Sequence, residues 1–327
     1  MSNVRSAIAW AIRQRSALSW VAAAVSLAIV ATAALTLFRV FSGIEFAKVV
    51  AALQAQSSRG LLLACLFVVA GYLALTCYDV FALRMIGRPG VPYRVAALAS
   101  FTSYTIGHNL GAAIFTTGVV RYRIYSTWGL SVGEISRIAL VTALTYWLGT
   151  VFMLGLGLTL APSVASTGDQ LPETFNRLIG LAVLAAICGY VLWLCPRPRS
   201  VGRWRWRITL PDAAATVLQI GIGSLELTFV TLAMYVLLPA RPPIDFIDLT
   251  VVFVAAMLIG VVSYVPGSLG VMEAAMFIGL PQFRREDLLA ALVTFRVMYF
   301  VIPLALSALL LGLHELRSFA AGMGRNT

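Results

Sequence analysis

Five ionisable side chains lie inside long apolar stretches of this chain and are the ones that could do chemistry there: Asp79, Arg121, Glu226, Glu273 and Arg296. A charged group at the bilayer centre costs roughly 2.5–3.5 kcal/mol on insertion scales, so such groups usually face an interior cavity or pair. An arginine there can hold a lipid phosphate through two parallel hydrogen bonds. A carboxylate can hold an amine-bearing headgroup or carry a proton. Both signs of charge together predict a central polar cavity that binds a substrate.

The same side chains are also compatible with a purely structural role, as ion pairs that seal the interior. Asp79 and Glu226 favour substrate binding, because they fall in corresponding positions of two long apolar segments. Arg121 is open between the two roles, since it can also mark the cytoplasmic edge of the membrane. Glu273 belongs with the candidate binding residues, whereas Arg296 favours a structural role.

A first interruption of the apolar pattern lies within Phe101–Ser131, which reads FTSYTIGHNLGAAIFTTGVVRYRIYSTWGLS. Its middle contains Gly107 and Gly111 around His108 and Asn109, which either line the cavity or cap a helix end. Irregular backbone at membrane depth must be buried in protein or line a polar cavity. The stretch therefore predicts a re-entrant hairpin whose turn contains the two glycines.

A second interruption lies within Val251–Met276 and contains Pro266, Gly267 and Gly270, with Glu273 shortly after. Proline lacks an N–H and restricts the residue before it, so it ends the incoming helix. The glycines permit a tight turn. Interrupted hydrophobic segments at corresponding places in two halves are a pointer to a transporter binding site.

These motifs support a family resemblance. The Gly-His-Asn break, the Val-Arg-Tyr-Arg-Ile-Tyr and Gly-Leu-Ser after it, and the late Pro-Gly-x-x-Gly-x-x-Glu resemble the membrane domain of lysylphosphatidylglycerol synthases. That domain is the flippase half of the multiple peptide resistance factor and has stand-alone relatives. The resemblance covers roughly Leu61–Leu313, with Ser268 where the family usually has a second glycine.

The resemblance implies movement or binding of a lipid, since the family's membrane domain moves aminoacylated phosphatidylglycerol between leaflets. It carries over to Asp79, Arg121 and the Pro266–Gly267 turn, with Glu273 behind it. The soluble synthase half of the fused proteins has no counterpart in these 327 residues. We therefore expect no lipid aminoacylation and no other enzyme activity.

The composition is that of a polytopic inner membrane protein, because 60% of the residues are hydrophobic and the mean hydropathy is +0.91. The net charge of +11 indicates loops retained in the cytoplasm and not affinity for nucleic acid. The four cysteines form no Cys-x-x-Cys pair or cluster with histidine, so neither a metal nor a cofactor is expected.

We predict an all-α polytopic membrane protein of about six full transmembrane helices plus two re-entrant hairpins in an inverted repeat. Residues 1–327 form one membrane domain, with the first span at about 17–41, repeat one at about 60–160 and repeat two at about 212–313. A basic loop at 196–211, with arginines from Arg197 to Arg207, places both termini and that loop in the cytoplasm. The competing topology counts each hairpin as two short spans.

The function predicted is that of a lipid flippase or transporter in the bacterial inner membrane, moving a phospholipid between leaflets. Aminoacylated phosphatidylglycerol and other anionic or polyprenyl-type lipids are the candidate substrates. The alternative is a non-transporting membrane subunit that binds lipid and recruits a separate lipid-modifying enzyme. A headgroup-transferring membrane enzyme is disfavoured, because the chain has two histidines and no clustered carboxylates. Membrane phospholipid is the expected partner, and a homodimer is left open.

Overall fold

The computed structural model describes residues 46–110, 113–195, 200–201 and 208–323. The predicted first span, Gly111 and the arginines of the predicted basic loop lie outside these residues. The described helices are α1 Phe46–Gln54, α2 Ser58–Met85, α3 Tyr93–Leu110, α4 Ala113–Tyr125, α5 Val132–Leu160, α6 Pro162–Asp169, α7 Glu173–Leu194, α8 Ala213–Leu237, α9 Phe246–Val262, α10 Val271–Gly279, α11 Arg285–Arg296 and α12 Ile302–Met323. Two short strands, β1 Ser200–Val201 and β2 Ile208–Thr209, form an antiparallel pair.

Five of the described segments are long and apolar enough to cross a membrane. They are α2, α5, α7, α8 and the continuous rod Arg285–Leu313, in which α11 runs into α12. Large apolar side chains such as Leu62, Leu66 and Leu73 on α2 are more than half exposed, as expected of a surface that faces lipid. The structure confirms a helical protein with several membrane-spanning helices, while the exact number of spans stays a prediction.

Local sequence signals set where the spanning helices begin. The Ser57 hydroxyl accepts from the Gly60 N–H at the start of α2, and the Asp212 carboxylate accepts from the Ala215 N–H at the start of α8. At α5, Ser131 and Glu134 form a reciprocal capping box. Each cap satisfies backbone donors that the first turn of a helix leaves unpaired.

The two predicted breaks each separate a longer helix from a shorter one. Helices α3 and α4 flank the first break, and α9 and α10 flank the second. Helix α4 has 13 residues and α10 has nine. At 1.5 Å per residue they are about 20 Å and about 14 Å long, whereas a hydrocarbon layer is about 30 Å thick. These lengths favour the re-entrant topology, which stays a prediction.

Helix α3 extends further than the sequence analysis predicts. Gly107 is buried in the last helical turn of α3 and does not lie in the hairpin turn. The helix continues past it to Leu110, and the Asn109 amide donates back to the Thr105 carbonyl oxygen at 2.8 Å. Glycine is common in membrane helices, where neighbouring helices shield the backbone. A glycine alone therefore does not locate a turn there.

The second turn has the backbone that glycine and proline predict. A 3₁₀ turn at Pro266–Ser268 joins the two arms, and Gly267 and Gly270 have φ angles of 60° and 81°. Tyr264 and Ser268 also have positive φ, at 56° and 51°. The chain changes direction over residues 264–270 because four of them have positive φ angles, which a right-handed helix does not contain.

The packing relates two units, which we call the first repeat (α2 to α5) and the second repeat (α8 to α12). Helix α2 packs along α8. Helix α3, the first arm of one hairpin, packs against α12 of the second repeat, and α9 of the other hairpin packs against α5 of the first repeat. These reciprocal contacts are compatible with the predicted inverted repeat, which stays a prediction.

The repeats approach most closely where two glycines meet on α5 and α8. A Cβ added at Gly149 would lie 2.5 Å from the carbonyl carbon of Gly223, and one added at Gly223 would lie 2.6 Å from the Thr145 carbonyl oxygen. Only glycine permits this backbone contact, a common device between membrane helices.

Candidate functional site

A buried ion pair joins the first hairpin to the neighbouring span. Asp79 lies on α2, and Arg121 and Tyr125 lie one turn apart on the same face of α4. Arg121 donates from Nη2 to Asp79 Oδ1 at 2.8 Å and from Nε to Oδ2 at 3.1 Å. The Tyr125 hydroxyl donates to Oδ2 at 2.7 Å. Both charged side chains are at most 2% exposed. A bidentate ion pair that is shielded from water therefore joins α4 to α2.

A second ion pair organises the other hairpin. Arg296 on α11 donates from Nη2 to Glu273 Oε2 at 2.7 Å, and its Nε donates to Glu273 Oε1. The same guanidinium donates to the carbonyl oxygens of Gly267 at 2.8 Å and Ser268 at 3.1 Å. Glu273 also accepts from the Gly270 N–H at 2.8 Å. Arg296 thus satisfies carbonyl groups that the broken helix leaves open.

Each ion pair joins the shorter helix of a hairpin to a long helix, with the charges exchanged: the long helix precedes the hairpin in the first repeat and follows it in the second. In the first repeat the carboxylate is on the span and the arginine on the short hairpin arm. In the second repeat the carboxylate, Glu273, is on the short arm and the arginine is on the span. In both cases a charged pair holds the shorter helix beside a break against a long helix.

Glu226 on α8 differs from these carboxylates in its partners. It is 2% exposed and accepts from the Tyr299 hydroxyl at 3.2 Å and, through a long hydrogen bond, from the Tyr78 hydroxyl at 3.5 Å. Within the described ranges, none of the ion pairs involves Glu226. This carboxylate is therefore held by hydroxyl groups from both repeats and by no described cation.

Aromatic rings from both repeats surround Glu226. Tyr104 on α3 contacts the rings of Tyr78, His108 and Tyr146 at centroid distances of 6.1, 4.5 and 6.1 Å. Among the described residues the Tyr146 hydroxyl is buried without a hydrogen-bond partner. We call this group the tyrosine cluster; its members are Tyr72, Tyr78, Tyr104, Tyr146 and Tyr299.

The ends of the two hairpins meet beside this cluster. The half-buried Asn109 donates from its amide to the Phe300 carbonyl oxygen at 3.5 Å, in addition to its bond to Thr105. A Cβ added at Gly267 would lie 3.8 Å from the Asn109 carbonyl oxygen. His108, one residue earlier, contacts the rings of Tyr104 and Tyr146. The last turn of α3 therefore lies between the second break and the tyrosine cluster.

A π-helical segment at Val297–Val301 places Tyr299 and the Phe300 carbonyl in this region. Pro303 has no N–H to donate to the carbonyl of Tyr299, four residues earlier. The Tyr72 hydroxyl donates to that oxygen instead, at 2.8 Å. Local π-helix is frequent at functional sites. A proline inside the last span is the sequence signal that could have directed attention to Tyr299.

The structure groups the predicted residues into separate sets. Asp79 and Arg121 pair with each other, Glu273 pairs with Arg296, and Asn109 lies near Gly267. Glu226 and His108 share the tyrosine cluster. The sequence does not predict the tyrosine cluster, because tyrosine is common in apolar segments and the five members are far apart in sequence. In the described part of the chain, no three His, Cys, Asp or Glu side chains gather as a metal site would require.

No family model matches the chain. It is 30% identical over 248 residues to the uncharacterized protein slr0712 of Synechocystis sp., a match that spans 75% of this chain and 76% of the relative. It is 29% identical over 246 residues to the inner membrane protein YbhN of Escherichia coli K12, spanning 73% of this chain and 75% of the relative.

Proposed function

The chain belongs to the family of these two relatives and is a multi-pass inner membrane protein, and from this premise we propose that it moves a phospholipid between the two leaflets. The observation that supports the proposal most directly is the position of Glu226. A buried carboxylate with no described cationic partner lies where the two repeats and both hairpin ends converge. The resemblance of the two breaks to those of the lysylphosphatidylglycerol synthase membrane domain supports the same function.

A headgroup that crosses the membrane needs a polar site in the apolar layer, and the protein must open that site to each face in turn. Broken helices in inverted repeats commonly provide both features in transporters. Here the two ion pairs anchor the short hairpin arms, so that each hairpin can move with its neighbouring span as one body. Asp79 and Arg121 satisfy each other in this state, so we assign them to positioning the hairpin rather than to first contact with lipid.

The proposed substrate is a phospholipid whose headgroup carries an amine, such as aminoacylated phosphatidylglycerol. An ammonium group would supply the positive charge that Glu226 lacks among the described residues. The tyrosine hydroxyls and His108 would supply neutral hydrogen-bonding groups around it. Aromatic faces also attract cations, which favours an ammonium group over a phosphate at this position.

The test is reconstitution of the purified protein into liposomes that contain a fluorescent lipid, followed by chemical quenching of the outer leaflet. We expect the protein to increase the rate of leaflet exchange for an aminoacylated lipid above that of protein-free liposomes, and more than for phosphatidylglycerol, whose headgroup has no amine. Glu226→Gln should lower the rate at least tenfold, whereas Glu173→Gln, an exposed carboxylate at the start of α7, should not. Exchange equal to that of protein-free liposomes would reject transport, and lipid binding without exchange would favour the non-transporting subunit.

A further inference from the structure

The balance of charge among buried groups raises the question of what neutralises Glu226. The described residues contain three buried carboxylates, and two of them, Asp79 and Glu273, hold an arginine. Glu226 has only hydroxyl partners. An ionised carboxylate away from water is strongly unfavourable unless it is paired, and such a group commonly takes up a proton instead. The partner of Glu226 is therefore expected to be a cation that is not fixed to the fold.

The surroundings of Glu226 are polar but uncharged on every side that packs against α8. Helix α2 presents Tyr72 and Tyr78, α3 contributes Tyr104 with His108 against its ring, α5 presents Tyr146 and the π-helical segment presents Tyr299. Of the charged groups on neighbouring helices, Arg296 on α11 binds Glu273 and Asp79 on α2 binds Arg121. Helices α7 and α9 contribute no described group that interacts with Glu226.

We propose that Glu226 is a proton-coupling site, at which a proton and the ammonium group of the lipid bind in alternation. The inference deepens the proposed function and rests on it. In one state the carboxylate forms an O–H bond with a proton taken from the aqueous phase on one side of the membrane. In the other state that bond breaks, the proton leaves to the opposite aqueous phase, and the carboxylate pairs with the headgroup amine.

The position of Glu226 between the repeats suits such an exchange. One hydroxyl partner, Tyr78, belongs to the first repeat, and the other, Tyr299, belongs to the second. A tyrosine hydroxyl both donates and accepts, so it can stabilise either protonation state of a neighbouring carboxyl group. If one repeat rocks against the other, the two hydroxyls move relative to each other, and the carboxyl group is exposed to a different face in each state. Lipid and proton then cross in opposite directions.

The experiment uses the full chain in liposomes at a membrane potential clamped to zero, with a fluorescent aminoacylated lipid and a pH dye inside. With one proton exchanged per lipid, a gradient of one pH unit should change the leaflet distribution of the lipid by up to about tenfold, because one unit corresponds to a tenfold ratio of proton activity. Reversal of the gradient should reverse the distribution, and the dye should report proton movement only when the lipid is present.

Variants separate coupling from folding. Glu226→Gln keeps the shape and the hydrogen bonds of the side chain, so its melting temperature should stay close to that of the wild type, while gradient-driven lipid accumulation and proton movement should both be lost. Glu226→Asp should restore part of the coupling, and Glu173→Gln should keep all of it. Wild-type exchange that ignores the gradient would overturn the coupling and leave transport standing. Gradient-driven accumulation by Glu226→Gln would place the coupling elsewhere, and no exchange under any gradient would overturn both proposals.

Discussion

At the scale of single residues, the three buried carboxylates have different surroundings although they have the same chemistry. Asp79 receives a guanidinium and a phenol from one face of α4, and Glu273 receives a guanidinium and a backbone N–H. Glu226 receives two phenols. The partner therefore decides the role: a fixed arginine favours a structural anchor, and neutral hydroxyls leave room for an exchangeable cation.

For Asp79 we expect a loss of stability when its carboxylate is removed. Breaking a buried ion pair by removing one partner typically lowers the free energy of unfolding by about 3–5 kcal/mol, because the other charge is left unpaired. Asp79→Ala should therefore melt well below the wild type in detergent. The double variant Asp79→Leu with Arg121→Leu should lose less stability than the sum of the losses measured for Asp79→Leu alone and Arg121→Leu alone. Strict additivity would show that the two groups do not interact in the folded protein.

Removal of a tyrosine hydroxyl should slow lipid transport more when that hydroxyl lies closer to the Glu226 carboxylate. Tyr299 lies closer to Glu226 than Tyr78 does, at 3.2 Å against 3.5 Å. A hydrogen bond to a charged group is worth about 1.5–3 kcal/mol, so Tyr299→Phe should reduce the exchange rate more than Tyr78→Phe. Tyr235→Phe, on the same helix as Glu226 and facing outward, is the control. Equal rates in all three variants would contradict a role for these hydroxyls.

At the scale of elements, the close crossing of α5 and α8 is decided by glycine at two positions. The backbones touch at Gly149 and Gly223, and no side chain separates the two helices at this contact. On the same helix, two residues away, Gly221 has open space around it. Substitutions at Gly223 and Gly221 change the helix preference equally, so a difference between them measures the packing contact at Gly223.

Gly223→Ala should destabilise the protein by about 1–3 kcal/mol, the usual range for inserting a methyl group into a packed contact. Gly221→Ala should be neutral or slightly stabilising, because alanine favours a helix by about 1 kcal/mol over glycine. Thermal melting of both purified variants measures the difference. If they melt alike, the crossing is looser than the backbone distances indicate.

The second hairpin turn gives another element-scale prediction. Gly267 and Gly87 both have positive φ, but only Gly267 lies near the opposing hairpin, through Asn109. A side chain at either position is strained by about 1–2 kcal/mol. Gly87→Leu should thus lower stability while exchange of lipid continues, and Gly267→Leu should also stop exchange. Equal lipid exchange in the two variants would show that the turn at Gly267 has no specific role in transport.

At the scale of the whole molecule, the charge distribution predicts which face of the membrane each loop occupies. Arg84, Arg88 and Arg94 lie at the end of α2, in the segment after it and at the start of α3, whereas residues 161–173 contain no Lys or Arg. Helix α6 and the start of α7 should then lie outside the cytoplasm. In a variant with Cys65, Cys77, Cys188 and Cys195 replaced, a cysteine at Gly168 should react with an impermeant thiol reagent in cells with a permeabilised outer membrane. A cysteine at Gly90 should react only after the inner membrane is opened, and the reverse pattern would invert the topology.

The sequence by itself determined the membrane class, where the capped helices α2, α5 and α8 begin, and the two breaks, because apolar composition, caps, glycine and proline act over a few residues. It also identified Asp79, Arg121, Glu226, Glu273 and Arg296, since ionisable groups are conspicuous in apolar segments. Only the tertiary structure decided which of them pair, because Arg121 and Asp79 are 42 residues apart and Tyr78 and Glu226 are 148 apart. Helix packing brings such residues together, and no local preference encodes that packing. For the same physical reason Gly107, which resembles a turn residue locally, lies inside a helix that its neighbours shield.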